Sequence, residues 1–320
     1  MTRSKTALFA LAALATTALA PVEALAERTL RAASFLPLQS VFAEPMVMFS
    51  DHVNEIGKGV LQINLVGPDA IPAVEQANAL RSGLLDMGAI PPGLYKQMVP
   101  LGNAQDISDM TVAEQKASGG YQMMADMVKE QMGTVMLATY GDGIPFHLYT
   151  ANTITSMDDL KGKRVRSSPI FHEFFSSLGL TNADISVPEA YTALERGVVF
   201  GYGWPAWGIE DLGWDKFTKQ RIDPGFYNVT INILMNGKTY DSLTPEEKKV
   251  IDDTIAWFDV AAPEFQAAKG DYYREQQDKA GVQSFDGGAD LSKRAADIYW
   301  EELAKIDADK TAKLRAVFQK

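Results

Sequence analysis

The chain of 320 residues contains no cysteine, which excludes disulfide staples and thiolate chemistry. Stability must then come from burying apolar side chains, and a content of 46% apolar residues in a chain of this length is ample. Histidine is scarce: His52, His147 and His172 lie far from one another in sequence, so a zinc centre is not expected. Positive charge is also short, with 30 Lys and Arg against 41 Asp and Glu. A net charge of −11 argues against nucleic acid and anionic lipid as partners. Enzyme signatures are missing as well: there is no G-x-S-x-G, no H-E-x-x-H, no P-loop and no strand-borne G-x-G-x-x-G. Gly201-Tyr-Gly203 runs into Trp204-Pro205, which cannot open a phosphate-binding helix. No cofactor and no metal are expected.

What is present begins with a leader. Arg3 and Lys5 precede the apolar run Ala7 to Ala20, and Ala24-Leu-Ala26 has the small-x-small form of a cleavage site. The run is too short to span a bilayer, and no later segment is both long and apolar enough. Export to the periplasm with cleavage after about Ala26 is the expectation, the product being free of the inner membrane.

Beyond that point apolar periodicity switches repeatedly between strand and helix. Strands are expected over 30–35, 60–66, 86–90, 135–140 and 146–150, with helices around 46–56, 74–81 and 112–132. A second α/β run follows: strand 164–167, helix 171–178, strand 183–187, helix 188–196 and strand 198–202. The run Asn228 to Met235 is strongly β and is placed back with the first unit. Thr244-Pro-Glu-Glu247 caps a long helix expected to reach about Lys279, with kinks at Pro263 and Gly270. The expected division is 1–26 leader, 27–144 plus 228–265 first lobe, and 145–227 plus 266–320 second lobe. The fold class is α/β, a hinged two-lobed molecule braced by one long helix.

One stretch stands out against the acidic background. Leu160 to Pro169 reads LKGKRVRSSP, with four cations in seven residues. Arg164 and Arg166 share one face of a strand and Val165 points to the other. Arg166 falls at the carboxyl end of that strand, which in an open α/β sheet faces the ligand crevice. A guanidinium there matches a carboxylate bidentately and keeps its proton. The alternative, a structural ion pair with one of the many acidic side chains, fits the residues equally well.

The frame Asp159-Leu-Lys-Gly162…Arg166, a helix, a short strand and then Pro188 to Pro205 (PEAYTALERGVVFGYGWP) resembles the solute-binding proteins of tripartite ATP-independent periplasmic (TRAP) transporters, the DctP-like family. The likeness covers nearly the whole chain after the leader. It implies a periplasmic-binding-protein fold of type II character, with a central cleft and a bracing C-terminal helix. It implies Arg166 as the clamp on a ligand carboxylate, and ligand-facing side chains around Glu189 to Tyr191 and Tyr202 to Trp204. The departures are informative. Phe200 stands where relatives often have an acid, and His147 where dicarboxylate or sialic-acid binders often have a second arginine. Pro91-Pro92-Gly93 replaces a polar contact.

The expected ligand contacts are Arg166, Trp204, His147, Tyr202, Phe35, Pro91, Val187, Tyr191 and Trp207. The expected ligand is a small organic acid, a monocarboxylate with an aromatic or apolar body such as a keto, hydroxy or aromatic acid. The expected partners are the small and large integral-membrane TRAP subunits, and the protein is taken as a monomer, with a dimer as the other option. The rivals are a C4-dicarboxylate or sugar-acid binder of the same family, a binding protein for an ATP-driven importer, and a secreted enzyme acting on small acids.

Overall fold

The computed structural model describes residues 27–320; the leader assigned to 1–26, and its cleavage site, lie outside the described residues. The chain runs through β1 (Arg28–Ser34), α1 (Glu44–Ile56), β2 (Leu61–Val66), α2 (Ala73–Ser82) and β3 (Met87–Ile90). It continues through α3 (Val112–Ser118), α4 (Gly120–Met132) and β4 (Thr134–Tyr140). These strands, with β10 (Ile231–Asn236) returning from the other half of the molecule, form a sheet ordered β2-β1-β3-β10-β4. β1 is parallel to β2 and β3, whereas β10 is antiparallel to both its neighbours.

The second unit takes in β5 (Pro145–Thr150), β6 (Arg164–Ser167), α5 (His172–Ser177), β7 (Thr181–Asp184), α6 (Val187–Glu195), β8 (Gly201–Pro205) and β9 (Gln220–Asn228). After β10 come α7 (Gly237–Asp241), α8 (Pro245–Lys279), β11 (Gln283–Asp286), α9 (Leu291–Ile306) and α10 (Ala308–Phe318). The second sheet is ordered β11-β9-β5-β8-β6-β7, with β6 parallel to β7 and β8 and with β5 antiparallel to β8 and β9. No helix among the described residues is long and apolar enough to cross a membrane.

Local chemistry explains most of the boundaries. Pro45 occupies the first turn of α1, Met46, Phe49 and Val53 form its buried face, and Gly57 follows its last turn. Thr244 and Glu247 form a reciprocal capping box at the start of α8. That helix is 35 residues long and runs unbroken through Pro263 and Gly270, where kinks were expected. It spans both units: Phe258 meets Phe49 edge-on at 5.5 Å in the first, and Gln277 donates to the Ala206 carbonyl at 2.7 Å in the second.

Elsewhere tertiary packing moved the boundaries. The single helix expected over 112–132 is two, because Gly119 takes a left-handed φ of 83° and turns the chain between α3 and α4. Met124, Met127 and Met132 of α4 are core residues. The strand expected over 198–202 lies three residues later, as β8. The strand expected over 183–187 ends at Asp184, and Val187 opens α6. The β-rich run 228–235 is the end of β9 and most of β10, divided at Val229-Thr230 as the chain crosses between sheets. The division expected from sequence put residues 266–320 with the second lobe, yet α10 packs on α3 and α4 of the first unit. Phe318 there offers its carbonyl to Ser108 at 2.8 Å.

Candidate functional site: a lined cavity between the two sheets

A cavity of about 450 Å³ opens between the sheets, where the carboxyl ends of β1, β3, β6 and β8 converge. Ligands of open α/β sheets lie at such strand ends. Its wall is mostly apolar, with Phe35, Phe42, Leu94, Phe146 and Trp204 prominent, and its few polar groups include Arg166, Asp106 and Asn103.

Arg166 is set there by β6. Its neighbours across the ladder are Ala183 on β7 and Tyr202 on β8, and Val165 beside it points the opposite way into the core. Arg164, two residues earlier, sits at the strand's open end and is exposed, whereas Arg166 is 7% exposed. Its Nε donates to the Ile185 carbonyl at 3.0 Å and its Nη1 to the Gly203 carbonyl at 3.1 Å. Those two bonds fix the plane of the guanidinium, whose carbon lies 5.3 Å from the Trp204 ring. Nη2 has no protein partner among the described residues.

No carboxylate oxygen among the described residues comes within 4.0 Å of this guanidinium, so the alternative of a structural ion pair is not what the fold contains. Burial, opposed by the attraction of Asp184, lowers the group to about 10, which still leaves it protonated at neutral pH. A buried cation without a counter-charge is costly, and an incoming anion would relieve that cost.

Five of the nine expected contacts lie on the cavity wall: Arg166, Trp204, Phe35, Pro91 and Val187. The other four do not. His147 follows Phe146 on β5, and since Phe146 faces the cavity the alternation of the strand turns His147 away. Its Nδ1 lies 3.0 Å from the Ile222 carbonyl and 3.2 Å from Asp223 Oδ1. Burial alone would raise the Asp223 carboxyl, but hydrogen bonds from His147, Arg221 and Ser284 hold it well below the usual carboxylate range. Tyr202 is fully buried, stacked on Tyr149 with its hydroxyl 2.5 Å from Thr218 Oγ1. Tyr191 packs edge-on against Phe217. Trp207 is stacked between Phe42 and Tyr273, and its carbonyl accepts from Trp204 Nε1 at 3.0 Å. Trp204 therefore presents ring surface to the cavity, its one donor being engaged.

Sequence reasoning missed Asp106, Asn103, Phe146, Thr230 and Tyr299, all on the wall. Asp106 is 5% exposed, and its Oδ2 accepts from Asn103 Nδ2 at 2.6 Å. Burial pushes its carboxyl up to about 7, against the opposing hydrogen bonds of Asn103 and Thr230. No local pattern marks it.

Outside the cavity, Glu210 has both carboxyl oxygens buried with no side-chain hydrogen-bond partner among the described residues, and burial, with Asp215 and Asp211 nearby and against its own backbone N–H, raises it to about 7. Asp106 and Glu210 together set a pH dependence. Both fold into a state that holds its proton more tightly than the unfolded chain does. Their contribution to stability is complete below about pH 4 and is lost as pH rises through about 7. For Asp106 alone the range amounts to as much as ~4 kcal/mol. Asp223 and Asp86 act oppositely, losing their contribution as pH falls below about 4. The expected outcome in scanning calorimetry of the empty protein is a higher Tm at pH 5 than at pH 8. Asp106→Asn with Glu210→Gln should flatten that difference, and a Tm that rises from pH 5 to pH 8 would contradict the assignment.

Comparison with known proteins agrees with this architecture. The model of the family described as bacterial extracellular solute-binding protein, family 7 (DctP), matches residues 32–288. The chain belongs to that family, in agreement with its resemblance to TRAP solute-binding proteins. Among curated relatives, an uncharacterized protein of Sinorhizobium fredii is 27% identical over 170 residues, 51% of this chain and 31% of that protein. A solute-binding protein of Sulfitobacter sp. is 24% identical over 243 residues, 71% of each chain.

Among solved structures, a TRAP periplasmic solute-binding protein of Sulfitobacter sp. with bound β-D-galacturonate superposes with a TM-score of 0.78 at 19% identity. The match covers 90% of this chain and 99% of that one. DctP7 of Bordetella pertussis, an extracytoplasmic solute receptor binding pyroglutamic acid, gives 0.79 at 16% identity, covering 91% and 99%. These likenesses establish the two-lobed fold.

Proposed function

We propose that this protein is the solute-binding subunit of a TRAP transporter. It captures a small monocarboxylate with an aromatic or otherwise apolar body and delivers it to the membrane permease. The observation that carries this reading is Arg166: a buried guanidinium, oriented by two backbone carbonyls, unpaired by any carboxylate among the described residues and lining an apolar cavity. The ligand carboxylate pairs with its free edge, and the ligand body lies against Trp204, Phe35, Pro91 and Val187. The lobes close only when a ligand bridges them, because closure over an unpaired cation is unfavourable. The solute is released chemically unchanged.

The galacturonate and pyroglutamate of the superposed structures each carry one carboxylate, which supports a monocarboxylate; galacturonate, a sugar acid, favours that rival over an apolar body. A second reading, a dicarboxylate, has one observation in its favour: Lys96, exposed at the cavity rim, could meet a second carboxylate. Calorimetric titration separates the two. Monocarboxylates with ring bodies should bind in the micromolar range, about −8 kcal/mol, and succinate or malate at least about tenfold more weakly. Tightest binding by succinate or malate would select the second reading.

A further inference from the structure

Asp106 gives the cavity a second charged group besides Arg166. It follows the turn Gly102–Gln105 of the first unit, whereas Arg166 lies near the carboxyl end of β6 in the second, and both line the same space. We propose that Asp106 is a second anchor, accepting a hydrogen bond from a hydroxyl or N–H of the ligand, so that the solute is a monocarboxylate bearing a donor group. This rests on the reading that Arg166 holds the ligand carboxylate.

The support is the way Asp106 is provisioned. Asn103, itself 2% exposed, ties down one carboxyl oxygen, and Thr230 from the segment between β9 and β10 lies against the same group. A carboxylate has about four acceptor sites, more than these two residues fill. No cation comes within 4.0 Å of it among the described residues. The titratable groups facing it are Tyr95 from the first unit, Tyr227 on β9 and Tyr299 on α9. Burial holds all three hydroxyls above the ordinary tyrosine range, so none supplies or removes charge near neutrality. Arg166 and Lys96 are the cations lining the cavity, and neither pairs with it.

Where Asp106 is ionised, compensation for its charge must therefore come from the guest. A hydroxyl or amide N–H supplies it through a charge-assisted bond. A second ligand carboxylate would instead face an anion, or require a shared proton. As pH falls through about 7 Asp106 takes up its own proton, so the preference for a donor weakens and the penalty on a dicarboxylate lifts.

The test uses the intact protein and matched probes that share a carboxylate and a body: mandelate against phenylacetate, pyroglutamate against cyclopentanecarboxylate, and 4-hydroxybenzoate against benzoate. Calorimetry at pH 8.5 should show at least one pair in which the donor-bearing acid binds about tenfold tighter or more, a ratio that shrinks at pH 5.5. In Asp106→Asn the ratio should lose its pH dependence, and in Asp106→Leu it should fall to within about twofold of unity; the wild-type comparison needs no variant to fold. Should every pair bind the wild type equally at pH 8.5 while Arg166→Lys abolishes binding of both members, the inference falls and the clamp stands. Should no probe bind the wild type even at millimolar concentration, the clamp reading fails and takes the inference with it.

Discussion

Arg166→Ala is expected to weaken binding of the carboxylate ligand by roughly 10²- to 10⁴-fold, the equivalent of breaking a buried charged pair at roughly 3–5 kcal/mol. The size follows from what surrounds the group. Nε and Nη1 are already committed to the carbonyls of Ile185 and Gly203, so the free edge is held in place before any ligand arrives. Arg166→Lys should fail almost as completely. One ammonium nitrogen cannot hold two carbonyls and a carboxylate in one plane, and it lacks the fork that matches two carboxylate oxygens. The fold should survive both changes, since what is lost is two side-chain hydrogen bonds to the Ile185 and Gly203 carbonyls, at a cost of about 1 kcal/mol each. Titration calorimetry with unfolding curves separates the two effects. Undiminished affinity in either variant would refute the clamp.

Gly201→Ala should have the largest effect on stability. A Cβ at that position would stand 2.1 Å from the Tyr149 carbonyl oxygen and 3.2 Å from Thr150 Cα, both on β5. Tyr149 and Thr150 pair with Tyr202 and Gly201 in the β5–β8 ladder, so the added methyl forces the two strands apart. A backbone obstacle cannot rotate aside as a side chain can. The expected loss is roughly 3–5 kcal/mol, at the upper end for a single substitution. Gly270→Ala provides the opposite sign. That glycine lies inside α8 with its nearest neighbour, the Trp207 ring, at 3.9 Å, an ordinary contact. Alanine there should stabilise by about 0.5–1 kcal/mol through helix propensity and a less mobile unfolded chain. Denaturant midpoints for the two variants should move in opposite directions; equal tolerance of both would contradict the close β5–β8 approach at Gly201.

Segments whose own periodicity decides their structure were legible without coordinates. α1 and β2 fall where the apolar pattern puts them, and Thr244 with Glu247 marks the start of α8 within a residue. Segments decided by distant partners were not. β9 carries Pro224-Gly225 in its interior, a pair that reads as a turn, yet the strand continues through register shifts against β5. β8 contains Gly201 and Gly203, poor strand formers in isolation, because Tyr149 and Phe171 approach too closely for any side chain.

The candidate site divides in the same manner. Arg166 was visible because a strand's carboxyl end and a family motif coincide on one residue. Asp106 was not, because its environment is completed by Tyr227, Thr230 and Tyr299, positions far from it in sequence. His147 and Tyr202 were placed at the right strands, but strand alternation turned the first away and its neighbours buried the second.

A crystal structure of the protein with an acid retained from its native source addresses the centre of this account most directly. It should show both oxygens of one carboxylate within hydrogen-bonding distance of the Arg166 guanidinium, between the two sheets. A guest whose carboxylate lies elsewhere, or a neutral or cationic guest that leaves Arg166 unpaired, would contradict it.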